Sequence, residues 1–100
     1  MRKLLIQPQA RTDLSEIWHY IAEQSPEAAS IVTQRLDDAI RGLVLMPGKG
    51  HTRADVKDAG YRFWSEYSYV IAYRYDDVSL TVVRIVHGRR NFRRLFGRRP

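Results

Sequence analysis

One change of rhythm constrains this chain more than any other feature. Its apolar residues recur with a helical period up to about Met46 and with a period of two after Gly60. Ala10, Leu14, Ile17, Trp18 and Ile21 fall at i, i+4, i+7, i+8 and i+11, a single stripe of an amphipathic helix. Arg11, Asp13, Glu16 and Glu23 are placed on its other side. Val32, Leu36, Ala39, Ile40 and Leu43 repeat the stripe, and a second helix is expected to end near Met46, before Pro47-Gly48. Between them Ser25-Pro26 reads as an N-cap followed by proline in the first turn, with Glu27 close to the positive helix end. Two such helices with a short break make an antiparallel hairpin whose apolar stripes still need a cover.

The second half supplies that cover. Lys3–Gln7 reads as a short opening strand and Pro8 as a helix start. Pro47–Gly60 reads as a loop, with a short strand around Arg53–Lys57. Tyr61–Trp64 and Tyr67–Tyr75 follow as strands, Asp76-Asp77 as a hairpin turn, and Leu80–His87 as the last strand. In Tyr67–Tyr75 the residues Tyr69, Ile71, Tyr73 and Tyr75 share a face opposite Val70, Ala72 and Arg74. The last strand is apolar on both faces, which places it centrally in a sheet covered on one side by the helical hairpin. Phe92, Leu95 and Phe96 are spaced for a short terminal helix. The fold class expected is α+β: an N-terminal strand, a helical hairpin, then a three- to four-stranded antiparallel meander. At 100 residues this is one domain, 1–100, with about 92–100 as a basic tail.

Charge is distributed unevenly. Residues 1–83 carry ten Lys/Arg against eleven Asp/Glu, whereas 84–100 hold seven arginines and no acid, so the net +6 resides in the last strand and tail. Such a patch suits an anionic partner, either nucleic acid or the acidic surface of a protein. The plainer alternative is a solvated tail that promotes solubility. With no cysteine there is neither a disulfide framework nor a thiolate site, as fits a reducing cytoplasm. The apolar run Leu4-Leu5-Ile6 is too short for a secretory segment, and no run is long enough to span a bilayer.

Few residues could carry chemistry. The three histidines, His19, His51 and His87, make no metal-ligand spacing, and neither a phosphate-binding glycine loop nor a G-x-S-x-G elbow is present. No metal and no cofactor are expected. One cluster remains: His87 with the same parity as Val83 and Ile85, then Gly88-Arg89-Arg90-Asn91. A metal-free ribonuclease needs an acid, a base and cations around the phosphorane. His87 could serve as acid or base, with Arg62, Arg74, Arg84 and Arg90 as cations and Glu66 as the nearest carboxylate. Equally, His87 could end the strand with a backbone hydrogen bond beside solvated or ion-paired arginines. Tyr61, Phe63, Trp64, Tyr67, Tyr69, Tyr73 and Tyr75 crowd one sheet region. A sheet covered on one face leaves the other open, and these aromatics read as core plus a groove for a partner.

Five segments in order resemble a known family. Ala10-x-x-Asp13-Leu14-x-x-Ile17-x-x-Tyr20-Ile21-Ala22 leads into Ser25-Pro26-x-Ala28-Ala29, and Pro47-Gly48-x-Gly50-His51-x-Arg53-x-Asp55 follows. Arg62-Phe63-Trp64, Tyr69–Arg74 and Val83–Asn91 complete the set. Together, from about Leu4 to Asn91, they are similar to the RelE/ParE toxin superfamily, nearer to its ParE, plasmid-stabilisation branch. The resemblance implies the toxin half of a type II toxin–antitoxin pair, neutralised by a ParD-like antitoxin in a hetero-oligomer whose DNA contact runs only through the antitoxin. It further implies inhibition of DNA gyrase by binding, with no enzymatic step. The alternative is a metal-independent, ribosome-associated mRNA endoribonuclease of RelE type, and a third is a member that binds its antitoxin without being toxic. His87-Gly88-Arg89-Arg90-Asn91 stands where the ParE pattern reads His-Gly-Ala-Arg-Asp, a gained cation and a lost acid. The side chains expected to meet target or partner are Trp64, Tyr69, Tyr73, Arg84, Arg89, Arg90, Arg93 and Arg94. Truncation after Gly88 is expected to end toxicity and leave the fold mostly intact.

Overall fold

The helical half folds as its punctuation dictates. Helix α1 spans Pro8–Ala22 and α2 spans Pro26–Leu45. Ser25 Oγ accepts the Ala28 N–H at 3.1 Å, satisfying a donor that the first turn leaves orphaned. Met46 caps α2, and Pro47–Lys49 adds a single 3-10 turn. The computed structural model describes residues 1–56 and 60–96; Lys57 of the expected loop strand and Arg98-Arg99-Pro100 of the tail lie outside the described residues.

Four strands, β1 (Lys3–Ile6), β2 (Arg62–Glu66), β3 (Tyr69–Tyr75) and β4 (Ser79–His87), form a sheet in the order β1-β4-β3-β2. The antiparallel meander β2-β3-β4 is as expected. β1 joins it in parallel with β4, Lys3 opposite Ser79 and Ile6 opposite Val82, so the sheet is mixed and β4 is central. Asp76 Oδ1 accepts the N–H groups of Val78 and Ser79, both at 2.8 Å, and closes the β3–β4 turn. These backbone donors hold the Asp76 carboxyl below its ordinary range. The β2–β3 turn falls on Tyr67 and Ser68, inside the expected strand Tyr67–Tyr75. Tyr67 has φ 56°, a left-handed conformation uncommon for any residue but glycine, and no glycine, asparagine or aspartate stands in the turn to announce it. The strand expected at Arg53–Lys57 does not form over its described part, residues 53–56; instead His51 makes an isolated bridge to Phe63.

The sheet carries a core on each face. Toward the helices, Ala10, Ile17, Leu36, Ile40 and Leu43 meet Ile71, Tyr73, Leu80, Val82 and Ile85. Alternation along β4 breaks once. Tyr73 opposes Val82 and Ala72 opposes Arg84, which leaves Val83 without an opposite residue. This bulge is why Val82 and Ile85, three positions apart, both face the helices. Val82, and not the expected Val83, therefore shares the face of Ile85.

On the other face Val56, Phe63, Val70, Ala72 and Val86 pack against Phe92 and Phe96. Helix α3 (Phe92–Leu95) follows a turn after β4, and its Asn91 cap accepts the Arg94 N–H at 3.1 Å. Phe92 and Phe96, four residues apart, return to the sheet and meet the Phe63 ring edge-on at 5.6 and 5.3 Å between centroids. The apolar sheet face expected to stand open for a partner is thus filled by the chain itself, and residues 92–96 of the expected tail form a docked element.

Candidate functional site

Asp13 organises the site. Expected on the outer side of α1, it is instead only 5% exposed and points at β4. Arg84 grips it with two parallel bonds, Nε to Oδ2 at 2.8 Å and Nη2 to Oδ1 at 3.0 Å. The Ile85 N–H adds a third, to Oδ2 at 2.9 Å. The reason lies in the sheet: β1 pairs no further than Val82, so the next part of β4 needs another acceptor, and α1 supplies it. The hydrogen bond that Arg84 donates to Asp13 raises the Arg84 pKa, outweighing the opposing effect of burial. In sequence terms Asp13 stands three after Ala10 and four before Ile17, on the apolar stripe itself. A lone acid on such a stripe, and a lone cation in the apolar run Leu80–Val86, were the legible signs of this pair.

Beside the pair lies a groove of about 600 Å³ between α1, the start of α2, the β2–β3 turn and the end of β4. Ile17, Ile21, Val32 and Ile85 supply its apolar lining, Tyr20, Tyr67 and Tyr69 its aromatics, and Glu16, Arg84, His87 and Arg90 its ionisable groups. Tyr20 is 72% exposed, and sequence reasoning passed it over although its place off the stripe was readable. Tyr69 stands opposite His87 in the ladder and meets it edge-on at 5.8 Å. Burial, with Tyr20 adding to it, raises the Tyr69 hydroxyl above its usual pKa. His87 Nδ1 accepts the Arg89 N–H at 3.1 Å, so the proton of the neutral ring sits on Nε2. The Gly88 N–H donates to Ser68 O at 2.8 Å and ties the β2–β3 turn to the end of β4.

Of the residues expected to act together, the groove gathers Tyr69, Arg84, His87 and Arg90. Arg62 and Arg74 are elsewhere. Arg62 opposes Tyr73, four residues along β3 from the partner of His87, a displacement of roughly 13 Å. Its Nη1 donates to Gly50 O at 2.9 Å. Arg74 opposes Thr81, further along still, and its guanidinium lies 4.1 Å from the Tyr61 ring centroid. Glu66, the expected carboxylate, accepts the Trp64 Nε1–H at 3.3 Å. The meander does not carry these arginines to the His87 end, because register fixes each along its strand.

The expected partner-binding residues divide in the same way. Tyr73 is wholly buried; its hydroxyl donates to Pro47 O at 2.6 Å and accepts the Gly50 N–H at 2.9 Å. It anchors the loop and offers no surface. Trp64 lies under Lys49 Nζ at 4.3 Å and stacks on His51, outside the groove. Arg89, Arg93 and Arg94 are exposed around the start of α3. Among the described residues no group of three or more His, Asp or Glu could hold a metal ion, and no helix is long and apolar enough to cross a membrane. Chemically, the groove suits an inserted segment with apolar anchors and polar flanks, met by aromatic contacts and by His87 and Arg90.

Comparison with known proteins adds to this. A family model, "ParE toxin of type II toxin-antitoxin system, parDE", matches residues 4–92. Among solved structures, a chain from the chromosomal ParDE TA system of P. aeruginosa superposes with a TM-score of 0.71 at 22% identity, covering 87% of this chain and 96% of that one. A chain of the E. coli DinJ-YafQ complex superposes with a TM-score of 0.57 at 18% identity, covering 97% of this chain and 100% of that one. At these identities the superpositions establish a shared fold. No curated protein matches the sequence.

Proposed function

The chain belongs to the ParE toxin family of type II toxin–antitoxin systems, and from that membership we propose that it arrests growth by binding DNA gyrase and is silenced by a ParD-like antitoxin. The observation that carries the binding mode is the dispersal of the cations: Arg62 and Arg74 are engaged with Gly50 and Tyr61 at the far end of the sheet from His87. Arg84 is committed to Asp13. A phosphorane-stabilising cradle needs its cations preorganised around one point. The groove, by contrast, has the apolar lining and polar margin of a peptide-binding site. An antitoxin segment seated there is consistent with the solved relative, which comes from a ParDE system.

The test is supercoiling of relaxed plasmid by gyrase with the purified, antitoxin-free protein added. Inhibition or accumulation of cleaved plasmid, reversed by the antitoxin, is the expected result. Untouched gyrase at a large molar excess of folded protein would overturn the proposal. It would shift attention to mRNA cleavage, for which His87 beside Arg90 and Tyr69 is the specific observation; His87→Gln would then abolish toxicity.

A further inference from the structure

We propose that the turn after β4 and helix α3 form a cationic face that binds the phosphate backbone of duplex DNA directly, where the family resemblance assigns DNA contact to the antitoxin alone. Arg89, Arg90, Arg93 and Arg94 are all exposed. Arg93 acts on Asp55, whose carboxyl is held below its ordinary range first by the Arg53 hydrogen bond and also by Arg93. Arg89, Arg90 and Arg94 take part in none of the ion pairs formed among the described residues. Three guanidinium groups with no ion-pair partner among the described residues thus occupy six consecutive residues.

Their platform is fixed. Phe92 and Phe96 are 1% and 2% exposed, and the Arg53 guanidinium lies 3.9 Å from the Phe92 ring centroid. The Arg90 N–H donates to His87 O at 3.0 Å, and Asn91 caps the helix through the Arg94 N–H. Arginines carried on an ordered backbone lose less freedom on binding than those on a frayed tail.

The surrounding surface selects the partner. An acidic protein interface would bring an apolar centre within its polar rim. None of the large exposed apolar side chains among the described residues lies between Gly88 and Phe96, because both phenylalanines of α3 point into the sheet. Arg90 also borders the apolar-lined groove, whereas Arg89, Arg93 and Arg94 do not line it; cations with no large exposed apolar side chain among them suit a row of phosphates, which guanidinium groups meet with paired N–H donors.

The experiment uses fluorescence anisotropy with the full chain and a labelled duplex of about 20 base pairs, titrated between about 50 and 200 mM KCl. Each phosphate contact contributes a slope of about −0.9 to log K against log salt. The triple variant R89Q/R90Q/R94Q should therefore lose about 2.7 of the slope, equivalent to roughly 40-fold less salt-dependent weakening over that range. Arg35→Gln, an exposed cation on α2, should leave the slope unchanged. R89K/R90K/R94K should preserve it, since charge is retained. An unchanged slope in the glutamine variant, or its loss in the lysine variant, overturns the proposal. Competition by polyglutamate as effective as by unlabelled duplex overturns it in favour of an acidic protein. The assay contains no gyrase, so its outcome is independent of the proposed target.

Discussion

At the scale of single residues, the decisive group is one that composition places on the surface and packing places inside. Asp13 binds Arg84 twice and the Ile85 N–H once, joining α1 to the part of β4 that β1 leaves unpaired. Removing one partner of a buried pair leaves the other charge without compensation, and the backbone donor orphaned as well. Asp13→Ala should therefore lose about 3 kcal/mol in urea unfolding, whereas Asp13→Asn, which keeps an oxygen for Ile85, should lose less. Equal losses in the two variants would mean that the backbone bond contributes nothing. Tyr73 makes the complementary point. Its aromatic type suggested a binding surface, yet its hydroxyl holds Pro47 and Gly50, and a Cβ at Gly50 would run into that hydroxyl.

Among the elements, α3 changes the meaning of the C-terminal segment. Read as a string, residues 84–100 hold seven arginines and no acid; folded, Phe92 and Phe96 cover the sheet face opposite the helical hairpin. Truncation after Gly88 accordingly removes core as well as charge, contrary to the expectation of a mostly intact fold. Phe92→Ala should destabilise by about 3 kcal/mol, lowering the melting temperature by roughly 12–24 °C for a domain of this size. A melting temperature within a few degrees of the parent would show that α3 is not held against the sheet in solution. Charge is tested separately by the glutamine variants, which leave both phenylalanines in place.

For the molecule as a whole, one sheet serves two cores, and β3 and β4 contribute to both. Loss of either core exposes the same strands, so residues 1–96 should unfold as one unit. Tryptophan fluorescence, from Trp18 and Trp64, and far-ultraviolet circular dichroism should therefore give superimposable urea transitions. Two separated midpoints would divide the chain into independent units.

The sequence by itself determined the helices, the strands of the sheet and their order, though not the turn at Tyr67-Ser68 or the absence of a strand at residues 53–56, because helix and strand periods, the Ser25-Pro26 cap and the Asp76 turn act over a few residues. It also determined which side chains of β3 share a face, and, through five weak segments in register, the family. Tertiary structure alone decided what depends on residues far apart in the chain. The Asp13–Arg84 pair joins residues separated by 71 positions. The bulge at Val83 is visible only when β3 lies beside β4. Placement of Arg62 and Arg74 away from His87 follows from strand register, and the filling of the second sheet face from where α3 returns. Local chemistry sets which segments are helix or strand; which charges meet, and which faces remain for a partner, is set by register and by closure of the sheet.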